Sequence, residues 1–150
     1  ISKSVPVKIN FSVMARDLEL NRDELPKYLE YLEKAELVSV LRMKANGDAI
    51  LRKMDKLYLQ NSNMSYVLSG ENPDTGNARE TIFYCWTKQK YDTVESPVSD
   101  FEIDGKTFEV GGRNKGKKQI SNLKDAYVVK DTIEYVFDNQ VPLWMFGFLY

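Results

Sequence analysis

The chain has 150 residues, 43% apolar and 29% charged, a composition that fits one ordinary globular domain or two small ones and excludes a disordered chain. A formal charge of −1 gives no overall field toward nucleic acid or acidic membrane, and the lone Cys85 excludes an internal disulfide. Histidine is absent, which removes His-based zinc sites, Ser-His-Asp and Cys-His nucleophiles and histidine pH switches, so any metal must be held by carboxylates and would be Mg²⁺ or Mn²⁺. No run approaches the roughly 20 apolar residues of a membrane span and no signal peptide is visible, so the expectation is a cytoplasmic protein with no membrane partner. A chain that opens on Ile1 rather than Met suggests a fragment or a processed start.

In chain order, residues 12–18 predict a short helix capped by Ser12. Asn21 and Asp23 are cap candidates for a second helix, whose stripe of Leu25, Tyr28, Leu29 and Leu32 has helical spacing and which tolerates Pro26 in its first turn. Residues 37–41 alternate as a strand, 45–48 supply a turn, and a second strand runs through Leu57-Tyr58-Leu59. Two helices and a two-stranded wing make a winged helix over residues 1–62. Its second helix, however, carries three basic against five acidic residues over 21–36, which is wrong for a helix that faces phosphates. That charge favours a packing or linking module over a DNA reader.

Residues 61–76 are turn-rich and mark a boundary. Beyond it the pattern predicts a helix from about 77 to 88, a hairpin at 98–111, a helix from about 118 to 126, a strand at 132–137 and an apolar tail. Such alternation argues for a second, α/β domain over 63–150. The tail, residues 143–150, has no charge: it is either a terminal element buried in the core or an exposed patch that mediates assembly into an oligomer.

Two stretches carry candidate chemistry. Gly111 to Lys118 nearly matches the phosphate-cradling pattern G-x-x-x-x-G-K-[ST], but Lys118 stands where a hydroxyl should hold Mg²⁺. Asp104-Gly105 predicts a two-residue hairpin turn, which pairs Phe101 with Phe108 and sets Asp100 opposite Glu109. One face then holds Phe101, Ile103, Phe108 and Val110, and the other Asp100, Glu102, Thr107 and Glu109. Opposed carboxylates are either screened on a solvated face or drawn together by a divalent ion. Glu80 is a third acid, although Asn77 to Glu80 also reads as a capping box that would occupy it.

The phrases GNARETIFY, DFEIDGKTFEVGGRNKGKKQI and IEYVFDNQVPLWMFGFLY, with KLYLQNSNMSYVLSG as the link, resemble the C-terminal region of prokaryotic AAA-type P-loop ATPases of uncharacterised role. The resemblance covers essentially the whole chain. It implies an α/β (α+β) fold: a winged helix, then a small restriction-endonuclease-like domain of the PD-(D/E)XK kind with a mixed sheet, the ATPase domain lying outside this chain. It further implies Glu80 as the helix acid, Asp100 as the strand aspartate and Glu109 as the glutamate of E-x-K, with Asp100 and Glu109 as metal ligands and Gln119 as polar support. Gly111 stands where that motif has lysine, and Lys115 or Arg113 is the candidate substitute. The expected function is therefore a degenerate, nuclease-like module that binds nucleic acid through Arg113, Lys115, Lys117 and Lys118 on behalf of a parent ATPase. The alternatives are a live Mg²⁺- or Mn²⁺-dependent DNA nuclease and a protein-interaction module.

Overall fold

The computed structural model describes residues 5–44, 53–69, 74–116 and 120–149. The chain is a mixed α+β protein with two sheets. The first is antiparallel and three-stranded, in the order β1-β3-β2: β1 (Val7–Lys8), β2 (Val38–Arg42) and β3 (Met54–Leu59). Before β2 come α1 (Phe11–Asp17) and α2 (Leu25–Lys34). The expected turn at 45–48 lies outside the described residues.

The helices form where the apolar spacing predicts, but their caps differ. Asn10, not Ser12, caps α1 by accepting from the Val13 amide at 3.2 Å. Neither Asn21 nor Asp23 caps α2; Asn21 instead closes a local turn on the Asp23 amide, and Glu24 occupies the cap position without a side-chain cap bond. A short side chain that satisfies its own neighbouring backbone is no longer available to the helix. Leu25 and Leu29 are buried as expected, whereas Tyr28 is exposed.

Strand alternation gives the three-stranded sheet two distinct faces. Val38, Val40 and Leu57 pack with Ile9 and Leu29 beneath α1 and α2. Leu41 and Tyr58, which point the other way, join Phe83, Tyr84, Phe101, Ile103, Phe108, Val110, Val129 and Leu143 in the larger core. That core thus draws on both ends of the chain, and the buried Tyr84 hydroxyl adds a 2.8 Å bond to the Val40 carbonyl.

Residues 61–76, read as turn-rich, contain α3 (Ser62–Ser69), and α4 (Thr75–Thr87) follows. Asp74 caps α4 by accepting from the Asn77 amide at 2.9 Å, so Glu80 lies well inside the helix and has no capping duty. The second sheet is mixed, in the order β4 (Val94–Glu95), β5 (Phe101–Ile103), β6 (Lys106–Gly111), β7 (Ala126–Lys130) and β8 (Gln140–Pro142). The first three strands are antiparallel, and β7 and β8 join β6 in parallel.

Two expected elements are corrected. The described part of the expected helix at 118–126, from Ile120 onward, runs as turns into β7, and the expected strand at 132–137 is an irregular, bent segment that ends in an isolated bridge from Phe137 to Gln140. The β-branched run Val128-Val129 suits a pleated ladder and takes the strand instead, flanking Glu109-Val110-Gly111. The tail forms a terminal 3₁₀ helix (Leu143–Phe148) that divides its apolar residues. Leu143 is buried and Phe146 packs on Phe83 at 4.7 Å between centroids, while Trp144, Met145 and Phe148 are exposed. No helix among the described residues is long and apolar enough to cross a membrane.

Candidate functional site

The β5–β6 hairpin takes the register its turn predicts: Phe101 pairs with Phe108, Glu102 with Thr107 and Ile103 with Lys106. Asp104 and Gly105 both have positive φ, 50° and 78°, as a type I′ turn requires. Asp100 lies just before β5 and is tied across the hairpin, its Oδ2 accepting from the Val110 amide at 2.8 Å. One face of the hairpin is core, as expected. The other is not a solvated face. Parallel pairing with β7 sets Ala126 beside Thr107 and Val128 beside Glu109, Ile120 packs over both, and Glu109 is only 1% exposed.

A carboxylate buried this deeply needs partners. The single Ser99 hydroxyl proton is shared between Glu109 Oε2, the nearer acceptor, and the Phe108 carbonyl at 3.1 Å. Lys115 Nζ stands 2.5 Å from Glu109 Oε1 and forms an ion pair with it, so both carboxylate oxygens have a partner.

Lys115 reaches Glu109 by crossing Gly111. A Cβ at residue 111 would overlap the Lys115 side chain, 2.5 Å from its Cβ and 2.8 Å from its Cδ. The aliphatic stem of Lys115 therefore fills the space that a side chain on the third residue of Glu109-Val110-Gly111 would use. Gly112 is less crowded, its own Cβ position lying 3.1 Å from the guanidinium of Arg79, which is itself bound to Asp131 at 2.6 Å.

Glu80 joins this cluster from α4. Tyr58 of β3 donates its hydroxyl to Glu80 Oε2 at 3.3 Å. Burial, then the neighbouring Asp100 charge, pushes the Glu80 carboxyl above its ordinary pKa, against the opposing pull of Lys56, Tyr58 and Lys115. Burial also raises Asp100; the Val110 amide opposes it, Glu109 adds to it, and Lys115 and Lys56 oppose it. Burial works against the Lys115 ammonium, but Glu109, Asp100 and Glu80 outweigh it and hold its pKa above the usual lysine range.

The four residues Glu80, Asp100, Glu109 and Lys115 are thus brought together. Arg113 is exposed on the same loop, its carbonyl accepting from Lys130 at 3.5 Å. Lys117, Lys118 and Gln119 lie outside the described residues. Sequence reasoning missed Ser99, Tyr58 and Lys56. Ser99 could have been found by its place beside Asp100, but the two β3 residues carry no local signal, because only the packing of the first sheet on α4 makes them neighbours.

Among the described residues no group of three or more acidic or cysteine side chains is placed to hold a metal ion. Asp100 and Glu109 nonetheless offer hard oxygen donors. A pair of carboxylates suffices for Mg²⁺, which usually keeps several waters and takes substrate phosphate as a further ligand. Comparisons with family models, with curated proteins and with solved structures found no match.

Proposed function

We propose that the chain is a nuclease-like module of the PD-(D/E)XK kind whose lysine has moved from position 111 to position 115, and that it hydrolyses phosphodiesters with Mg²⁺ or Mn²⁺. The observation that carries this reading is the Lys115 side chain, which lies across Gly111 and ends on Glu109. A lysine in that place orients the attacking water and stabilises charge that develops on the phosphate. Asp100 and Glu109 would hold the metal, which would supply Lewis-acid activation, while Glu80, its pKa raised by burial, stands beside them as a third carboxylate. In this reading residues 1–62 are a winged helix that serves as a packing module, and a parent AAA-type ATPase is the natural partner.

A second reading is binding without cleavage. It is favoured by the absence of a three-acid metal group among the described residues and by the engagement of Lys115 with Glu109. Incubation of plasmid and single-stranded DNA with the protein in Mg²⁺ or Mn²⁺ separates the two. Cleavage that disappears in Asp100→Asn supports hydrolysis. A folded protein that cuts in neither metal, yet loses DNA affinity when Arg113, Lys115, Lys117 and Lys118 become alanine, supports binding alone.

A further inference from the structure

Strand β3 is shared by the two faces of the first sheet. Leu57 packs toward α1 and α2, while Tyr58 enters the larger core and touches Glu80. Lys56 is two residues before Tyr58 and pairs in the ladder with Leu41, itself a member of the larger core, so it leaves the sheet on the α4 side. Two residues along a strand span about 6.6 Å, which the four-carbon stem of a lysine can reach across. Lys56 is half-buried rather than extended into solvent.

We infer that β3 completes the acidic site, with Lys56 as its second counter-cation and, once a divalent ion is held, as a contact to the phosphodiester. The inference rests on the nuclease reading above and adds to it a residue outside the hairpin and α4. Electrostatics agrees with the geometry, since the Lys56 charge acts on Glu80, Asp100 and the neighbouring Glu95.

Charge balance gives Lys56 a distinctive signature. With Glu80, Asp100 and Glu109 ionised, Lys115 and Lys56 leave the cluster one negative charge, which attracts a cation. A bound divalent ion turns it to one positive charge, which one phosphodiester neutralises. Without Lys56 the metal-free cluster would be more negative and the metal-loaded cluster neutral. Loss of Lys56 therefore strengthens metal binding and weakens phosphate binding. Loss of mere packing would weaken both.

The test uses Lys56→Met and Lys56→Arg in the 150-residue chain. Mn²⁺ affinity is measured by calorimetry, and affinity for a short DNA duplex is measured in Ca²⁺, chosen to support binding without cleavage. Lys56→Met should bind Mn²⁺ about threefold to tenfold tighter and DNA weaker by a similar factor, the scale of one charge removed at a partly screened distance. Lys56→Arg should stay near wild type in both. Where the wild type binds Mn²⁺, unchanged or weaker binding in Lys56→Met overturns the inference. A metal-free readout separates it from the nuclease reading: melting temperatures in EDTA for Lys56→Met, Glu80→Gln and the double variant. Non-additive shifts place Lys56 beside Glu80 even if the wild type binds no Mn²⁺, in which case the nuclease reading falls alone. Additive shifts overturn the inference whatever the metal does.

Discussion

Lys115→Met removes the one cation in contact with Glu109 among the described residues. Breaking a fully buried ion pair from one side costs about 3–5 kcal/mol, because the remaining charge is left desolvated. Glu109 is buried to that degree, but the Lys115 side chain is 37% exposed, so water already shares part of its work. The expected cost is therefore about 1.5–3 kcal/mol, equivalent to about 3–12 °C of melting temperature for a chain of this size. Glu109→Gln should cost much less, since an amide keeps the Ser99 hydroxyl as a partner and carries no charge. The double variant should then recover most of what Lys115→Met loses. Circular dichroism melts at neutral pH read all four proteins. Melting of Lys115→Met within 1 °C of wild type, or strict additivity with Glu109→Gln, would refute the reasoning that the two groups depend on each other.

Gly111→Ala should cost at least as much as Lys115→Met, because the added methyl overlaps Lys115 Cβ as well as its stem; melting within 1 °C of wild type would count against the crowding argument. Phe83→Ala, at the centre of the larger core and in ring contact with Phe101, Phe108 and Phe146, should cost about 3–5 kcal/mol and lower a single melting transition, a result that two separate transitions would contradict. Glu80→Gln should stabilise the protein near neutral pH. The folded chain holds the Glu80 proton above the unfolded range of about 4.3, so the wild type loses stability as pH rises from there through the raised value, and the variant should lack that part of the decline. Urea melts from pH 4 to 8 check the difference, and parallel curves for the two proteins would sink it.

The hairpin was legible because a two-residue Asp-Gly turn fixes register, and register alone decides which side chains share a face. Asp100 and Glu109 could be brought together on that basis. The burial of Glu109 could not, since β7 covers it and sequence placed the strand after residue 131 rather than at Ala126–Lys130. Periodicity is weak evidence in short apolar runs. Tyr135-Val136-Phe137 reads as strand yet lies exposed, whereas Val128-Val129 is fully buried. The α4 cap was misjudged because Asp74 offered its carboxylate three residues before the Asn77 amide, which moved the helix start upstream and left Glu80 free for the site. Lys115 was, beside Arg113, a candidate only through the resemblance; the crowded space above Gly111 gives it a physical reason. The contributions of β3 were illegible, because nothing between residues 58 and 80 records that the two will touch.

The packing of Leu41 and Tyr58 against α4 and β5 also bears on how this chain could be inherited. A fragment separated at residue 62 would leave Phe83, Tyr84 and Phe101 facing water on one side of the cut and Leu41 and Tyr58 on the other. Apolar surface of that kind favours aggregation over independent folding. Recombination could therefore exchange the two halves only as a pair, and a foreign N-terminal partner would have to bring its own large side chains at matching positions on its third strand.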